Sequence, residues 1–218
     1  MAEKKRPRRT RERILETSLA LFNGFGEPHV TTADIADEMN ISPGNLYYHF
    51  RNKDEIIGEL YAAHEAQVLP LFAAPPQGGS RRANVEDLWL LLHLLFERIR
   101  EYRFLYRDLD ELTSRNRKLS THFCGLLRRG ISAVVELCRG MVEAGSMRAS
   151  EPEIAAVAQN VVLIATYWMS FQRLSRAARE PAEEIDLGHA AYQVLALVSP
   201  YLVGDARALL DRLGADYL

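Results

Sequence analysis

The sequence predicts an all-α protein, with a small N-terminal domain of three helices and a larger helical domain after it. Apolar residues recur three and four positions apart along most of the 218 residues, which is the spacing of one helix face. No stretch alternates apolar and polar residues as a half-buried strand does. Thr31 to Lys53 holds two short helix signatures with separate start signals and only Asn40 and Ile41 between them. This pattern is typical of a helix-turn-helix.

The charge of the chain is unevenly distributed. The net charge is −2, so affinity for a polyanion has to come from a local patch. The first 13 residues supply one, because their cations outnumber Glu3 and Glu12 by five. These cations are Lys4, Lys5, Arg6, Arg8, Arg9, Arg11 and Arg13. Such a basic arm suits a phosphate backbone or a minor groove, and the alternative is a disordered, solubilising tail.

Start and stop signals delimit the first three helices. The first is predicted from Thr10 to Phe25, before the stop signal of Gly26. Thr31 or Thr32 caps the second helix. Ser42 caps the third, with Pro43 at the first helical position, where no amide is needed. Helices this short require neighbours, and the residues expected to pack them are Ile35, Met39, Ile41, Leu46 and Phe50.

The third helix is predicted to have two different faces. At 100° per residue, Leu46 and Phe50 point to one side. The opposite side is uncharged and rich in hydrogen-bonding groups: Gly44, Asn45, Tyr48 and His49, with Tyr47 on the flank. A DNA major groove accepts such a face, because Asn can read base edges while Tyr and His can hold phosphates. The alternative for either tyrosine is a half-buried packing residue.

The run T-T-x-x-I-A-x-x-x-x-I-S-P-G-N-L-Y-Y-H-F-x-N-K-D-E, from Thr31 to Glu55, closely resembles the DNA-binding signature of the TetR family of bacterial regulators. One departure is Asn40, where the family commonly has glycine; asparagine also tolerates a left-handed conformation. The resemblance is strong over residues 10 to 60 and implies both fold and DNA binding. With the exposed face it predicts these DNA-binding residues: Thr32, Pro43, Gly44, Asn45, Tyr47, Tyr48, His49 and Lys53.

A fourth helix is predicted to connect the two domains. Asn52 caps it with Glu55 at the third position, a variant of the capping box. Lys53 then opposes the helix dipole unless an anion such as a DNA phosphate is near. The helix runs to about Leu69 and can act as a lever. The predicted domains are 1–52, the basic arm and DNA-binding domain, and 53–218, the helical effector-binding and dimerisation domain.

The remaining elements follow from periodicity and helix breakers. Ala73 to Asn84 is the clearest loop, with two prolines and two glycines. Helices are predicted at Val85–Arg100, Tyr102–Leu112, Arg117–Ala144, Pro152–Ala178, Ala182–Leu202 and Asp205–Leu213, with a break at Thr113–Asn116.

The larger domain is predicted to bind a ligand and to dimerise. Inward-facing bulky or mixed-polarity residues on three helices are expected to line a cavity: Trp89, His93, Phe96, Phe123, Leu127, Ile131, Asn160, Tyr167, Trp168 and Phe171. The alternative is that they simply fill a core. The helix from Pro152 is apolar nearly all round, so it needs a second buried surface. The last two long helices are therefore expected to form a four-helix homodimer interface.

No enzyme, cofactor or metal site is predicted. The chain has no nucleophile elbow, Walker loop, HExxH or CxxC, and its six histidines are never on one helical turn. Cys124 and Cys138 lie about 21 Å apart if one helix holds both, which excludes a disulfide between them. No secretory signal fits the N-terminus, and Ile154 to Phe171 is interpreted as a buried helix rather than a membrane span. A cytoplasmic location without membrane contact is expected.

Two functions remain possible from the sequence. The first is a ligand-responsive repressor, released from a near-palindromic double-stranded DNA operator by a small, largely apolar effector. The alternative is a nucleoid or division-associated DNA-binding protein without an effector. An effector needs a roomy apolar cavity, whereas a structural role tolerates a solid core.

Overall fold

The computed structural model describes residues 7–73, 83–175 and 186–215. The start of the basic arm, most of the predicted loop and the predicted helix ends at Ala178 and Ala182 lie outside these ranges.

The described residues are almost entirely helical. The α-helices are α1 (Pro7–Phe25), α2 (Thr32–Glu38), α3 (Pro43–His49), α4 (Lys53–Val68), α5 (Val85–Glu101), α6 (Arg103–Arg107), α7 (Leu109–Arg115), α8 (Arg117–Glu143), α9 (Glu151–Ser175), α10 (Leu187–Val198) and α11 (Asp205–Ala215). Short 3-10 helices occur at Glu27–His29, Leu69–Phe72 and Ser199–Tyr201. Within the described ranges the only β pairing is an isolated bridge between Met147 and Leu202. The predicted all-α fold is confirmed.

Two predicted boundaries between residues 102 and 116 differ from the structure. The helix predicted at Tyr102–Leu112 is divided into α6 and α7 at Asp108. In the predicted break Thr113–Asn116, residues 113–115 instead belong to α7, which ends at Arg115 with Asn116 as its C-cap. Thr113 donates its hydroxyl to the Leu109 carbonyl at 2.8 Å, so this β-branched polar residue is accommodated within the helix.

The chain divides into two compact units. Unit 1 contains Met1–Ala66 and Tyr102–His122, and unit 2 contains Gln67–Glu101 and Phe123–Leu218. Thus α6 and α7 group with the N-terminal helices, although α5 separates them in sequence. The predicted functional division at residue 52 stays a prediction.

The core of unit 1 joins the first three helices. Ile14 of α1, Ile35 of α2, and Leu46 and Phe50 at α3 are all fully buried. Phe25, the last residue of α1, is 69% exposed because it ends the helix beyond the core.

Segment 103–115 packs against the end of α1. The Phe22 and Phe104 ring centroids are 5.2 Å apart, and Asn23 Oδ1 accepts the Phe104 backbone N–H at 3.1 Å. Arg107 donates to the carbonyls of Phe22 and Asn23, at 2.5 and 3.1 Å. These contacts tie segment 103–115 to the last turn of α1, where the Phe22 carbonyl also accepts the Gly26 N–H at 3.1 Å.

In unit 2, α9 has one buried face and one exposed apolar face. The buried residues are Ile154, Val157, Ala158, Val161, Ala165, Thr166 and Met169. On the opposite side Leu163, Tyr167, Phe171 and Leu174 are exposed. By length and composition α9 could cross a membrane, and 39% of its most apolar window is buried within the structure. The expectation of a buried helix therefore holds for one face of α9.

Candidate nucleic-acid interface

The turn between α2 and α3 has the predicted stereochemistry. Asn40 is left-handed, with φ of 53°, and is the only non-glycine residue with positive φ in the described ranges. Ser42 Oγ accepts the Asn45 backbone N–H at 3.2 Å, and Pro43 occupies the first turn of α3. The cap and the proline fix where α3 begins and in which direction it leaves the turn.

A capping box starts α2. Thr31 Oγ1 accepts the Asp34 N–H at 3.2 Å, and the Asp34 carboxylate accepts the Thr31 N–H and hydroxyl, each at 2.7 Å. The backbone and side-chain hydrogen bonds from Thr31 hold the pKa of Asp34 below its usual value. The box leaves Thr32 as the first helical residue, close to the electropositive end of α2.

The outward face of α3 is exposed and carries no charged side chain. Leu46 is fully buried, whereas Pro43, Gly44 and Asn45 are exposed. Tyr47 is 51% exposed and Tyr48 is 80% exposed. An exposed helix face with polar and aromatic tips and no competing carboxylate is suited to a major groove.

Two further contacts order this face. The hydroxyls of Tyr47 and Thr32 are 3.0 Å apart and hydrogen-bonded, which links the start of α2 to α3. Tyr48 and His49 meet edge to face, with ring centroids 5.1 Å apart. The structure therefore brings Thr32, Tyr47, Tyr48 and His49 together on one surface. Whether they contact DNA stays a prediction.

Lys53 occupies a different environment from the other predicted contacts. α4 begins at Lys53, and Asn52 Oδ1 accepts the Glu55 N–H at 2.9 Å. The reciprocal bond differs from the expected box, because Glu55 accepts the N–H of Arg51 at 2.6 Å. The Lys53 ammonium points inward to Glu27 Oε1, at 2.8 Å. No local pattern in the sequence predicts this buried partner, which lies 26 positions away.

One cation of the basic arm, Arg11, also has its partners within unit 1. Arg11 lies in α1, forms a two-pronged ion pair with Glu59 of α4 and lies 4.4 Å from the centroid of the Phe50 ring. Arg11 therefore links α1 to α4 and lies over the Phe50 ring that follows α3. Arg11 is therefore less available for phosphate than its position in the basic arm predicts.

The predicted ligand residues all belong to unit 2 but do not share one environment. Phe96 and Phe123 are buried, and Trp89, Leu127, Ile131 and Trp168 are half-buried. Trp89 stacks on His93, with centroids 5.3 Å apart, and Trp168 stacks on His189 at 5.5 Å. Trp89 Nε1 is buried without a hydrogen-bond acceptor among the described residues.

For four of the ten predicted ligand residues, the expectation of an inward-facing side chain is wrong. His93 and Asn160 are exposed, Tyr167 is 40% exposed and Phe171 is 58% exposed, so they do not face inward. α9 is apolar on both sides, and periodicity alone therefore could not decide which side the core would cover. The other six stay predictions.

The described ranges contain no group of three or more His, Cys, Asp or Glu side chains that could hold a metal ion. His64 is fully buried, and its Nε2 lies 2.9 Å from the Tyr106 hydroxyl. Burial raises the pKa of Tyr106, so the tyrosine hydroxyl of this hydrogen bond stays protonated and uncharged.

Known proteins resemble both parts of the chain. The TetR profile, described as a bacterial transcriptional repressor, matches residues 63–210, and the profile for bacterial regulatory proteins of the tetR family matches residues 14–60. A probable acrEF/envCD operon repressor of Escherichia coli K12 is 38% identical over 53 residues. That match spans 24% of this chain and 24% of the relative, about a quarter of each.

Solved structures extend the likeness over most of the chain. A TetR-family transcriptional regulator from Marinobacter aquaeolei VT8 is 34% identical, with a TM-score of 0.83, covering 95% of this chain and 98% of that one. A transcriptional regulator from Saccharomonospora viridis in complex with choline shares the fold at 18% identity, with a TM-score of 0.69 and coverage of 90% and 99%. The named relatives are regulators and not enzymes. The chain belongs to the TetR family of bacterial transcriptional repressors.

Proposed function

We propose that this protein is a DNA-binding transcriptional repressor that reads a major groove with α3. The observation that carries the proposal is the exposed, uncharged face of α3, opposite the buried Leu46 and beside the capped start of α2. Asn45 supplies base-edge hydrogen bonds, while Thr32, Tyr47 and Tyr48 hold phosphates. Gly44 allows the backbone to approach the DNA. The site of action is chromosomal DNA in the cytoplasm.

The repressor acts as a homodimer. The exposed stripe of α9, formed by Leu163, Tyr167, Phe171 and Leu174, is too apolar to remain in water and is repeated on a second copy. A twofold axis through this stripe pairs two α3 helices with the half-sites of a near-palindrome, about 34 Å apart or a small multiple of that. One short helix alone contacts too few base pairs for useful specificity.

A small, largely apolar effector releases the repressor by binding in unit 2. Trp89 Nε1 supports this proposal, because it is a buried donor without an acceptor in the described residues, and a ligand oxygen would satisfy it. A relative of the same fold has been solved with choline. The effector favours a conformation in which α4, the lever, holds the two α3 helices away from their half-sites. Such a shift requires different effector affinity for the two conformations.

The DNA-binding proposal is tested with a duplex selected from a randomised pool by the full-length protein. Tyr48→Ala and Asn45→Ala should lower affinity about tenfold or more without changing the melting temperature, because both side chains are exposed. Ala62→Ser on the exposed side of α4 is a neutral control. If each protomer neutralises about four phosphates, log affinity should fall with log salt at a slope near −7. Unchanged affinity in the Tyr48→Ala, Asn45→Ala double variant would contradict the assignment.

The effector proposal is tested by thermal shift with fatty acids, acyl-CoA esters, aromatic compounds and organic cations. A compound that binds only the folded protein must raise its melting temperature. A hit should also weaken DNA binding, and Trp89→Phe should reduce the shift by removing the indole N–H. A compound that raises the melting temperature but leaves operator affinity unchanged would favour the alternative, a DNA-binding structural protein.

A further inference from the structure

The carboxylate of Glu27 lies between two cations that come from distant parts of the sequence. Its side chain is 0% exposed. Lys53, the first residue of α4, holds Nζ 2.8 Å from Oε1, and Arg115, the last residue of α7, holds Nη2 2.5 Å from the same oxygen. No directed hydrogen bond reaches either carboxylate oxygen from elsewhere in the described ranges. The two ion pairs therefore compensate the burial of this charge.

The ammonium of Lys53 has an ion-pair partner and two hydrogen-bond acceptors inside unit 1. Besides the carboxylate, it donates to the backbone carbonyls of Glu27 at 3.0 Å and of Val30 at 2.9 Å. Two of its three N–H donors are therefore used by backbone carbonyls, and its charge is paired with the Glu27 carboxylate. The charge of Lys53 is already paired inside the protein. We therefore expect Lys53 to neutralise no DNA phosphate and to release no counterions from the DNA.

Arg115 and Asp108 link segment 103–115 to Glu27 as well. The backbone N–H of Glu27 donates to Asp108, between α6 and α7, at 3.0 Å. Asp54 and Glu111 face Arg115 more loosely, at 3.9 and 3.8 Å, and both are more than half exposed. The buried Glu27 is therefore the strongest partner of Arg115. Segment 103–115 and the start of α4 thus converge on the turn that precedes α2.

We propose that Glu27, Lys53 and Arg115 form an ionic clamp that positions the helix-turn-helix for DNA, without any of the three contacting the DNA. The inference rests on the DNA-binding function proposed above. The Val30 carbonyl held by Lys53 immediately precedes Thr31, whose capping box starts α2. Loss of the clamp lets the start of α2 move, and with it the Thr32–Tyr47 hydrogen bond to α3. Recognition tolerates displacements of only about 0.5 Å in its supporting residues.

The test compares operator affinity at several salt concentrations for the wild type, Arg115→Gln and Lys53→Gln. Arg117→Gln is the matched control, since Arg117 is an exposed arginine two positions further along the chain. We expect both clamp variants to bind about tenfold or more weakly, as loss of supporting residues does at other sites, with an unchanged slope of log affinity against log salt. The control should bind like the wild type.

A phosphate contact predicts a different result for Lys53. Its loss would then reduce the salt slope by about 1 per protomer, or about 2 for a dimer. Such a reduction in Lys53→Gln, or wild-type affinity in Arg115→Gln, overturns the clamp. If the wild type binds no duplex in a salt-dependent manner, the DNA-binding function itself is wrong. If only the variants behave differently from expectation, the DNA-binding function stands and the clamp is wrong.

Circular dichroism at the assay temperature establishes that each variant is folded. If Arg115→Gln is unfolded there, the double variant Glu27→Gln, Arg115→Gln takes its place. It removes the buried negative charge together with one cation, so no uncompensated carboxylate remains in the interior. Binding about tenfold weaker than wild type by the folded double variant supports the clamp, and wild-type affinity overturns it.

Discussion

At the scale of single residues, a substitution of Gly44 should have opposite effects on stability and on DNA affinity. It is the second residue of α3, and a Cβ added there would meet nothing nearer than Ser42 Oγ, at 4.0 Å. Gly44→Ala should therefore raise the free energy of unfolding by up to about 1 kcal/mol, because alanine is the better helix former. The same methyl group would face the DNA backbone, and operator affinity should fall about tenfold or more.

Gly58→Ala is the matched control for that change. Gly58 is an exposed glycine of α4 with no atom within 4 Å of an added Cβ. It should gain comparable stability with unchanged operator affinity. Urea unfolding and affinity measurements on both variants check the prediction, and equal affinity for Gly44→Ala and the wild type would exclude close approach of the backbone to DNA.

The two cysteines differ in environment and should differ in reactivity. Cys138 is fully buried, which raises the pKa of its thiol to about 11, whereas Cys124 is exposed. Since the thiolate is the reactive form, iodoacetamide at pH 8 should modify Cys124 in the native protein and Cys138 only after unfolding. Mass spectrometry should find one modified site per native chain and none in Cys124→Ser. Rapid modification of Cys138 would mean that α8 opens locally.

At the scale of one helix, the capping box of α2 should make stability depend on pH. The folded-state pKa of Asp34 is depressed below 3.8. The stabilisation is therefore fully present above pH 3.8 and is lost as the pH falls further, through the folded-state pKa. Asp34→Asn should melt lower than the wild type at pH 7, and the difference should shrink below pH 3.8.

Asp37→Asn is the control for this effect, because Asp37 is exposed on the same helix but takes no part in the cap. Thermal melts of the three proteins at pH 7 and at pH 3 measure the difference. A melting difference between Asp34→Asn and the wild type that is as large at pH 3 as at pH 7 would show that the carboxylate is not its source.

At the scale of the whole molecule, the exposed stripe of α9 should control the oligomeric state. Leu163 is 55% exposed on α9, and Leu90 is 47% exposed on α5. Leu163→Glu places a charge in the proposed dimer interface and should yield a monomer, whereas Leu90→Glu should remain dimeric. Sedimentation at micromolar concentration should give about 24.7 kDa for the first variant and about twice that mass for the second. A dimeric Leu163→Glu would place the interface elsewhere.

Dimerisation should also determine the affinity for the operator. Each protomer offers one seven-residue α3, so a monomeric variant should bind a single half-site only weakly. Loss of operator affinity in Leu163→Glu without loss of helical content would therefore link the α9 stripe to DNA binding. Full affinity in a monomer would contradict the near-palindromic operator.

The sequence by itself determined the elements whose causes are local. The caps at Thr31 and Ser42, the left-handed Asn40 and the outward face of α3 all depend on residues within four positions of one another. Such signals survive in any fold that contains the motif, and the resemblance to the TetR signature rests on them. They sufficed to predict the helix-turn-helix and the exposed residues on it.

Only the tertiary structure decided how distant segments meet. Asp108 accepts the N–H of Glu27 across 81 positions, and Arg115 pairs with the buried carboxylate of the same residue. It also decided that Lys53 points inward and that Tyr167 and Phe171 face outward. Ion pairs and the choice between two apolar faces depend on the path of the whole chain, and no local period or cap specifies that path.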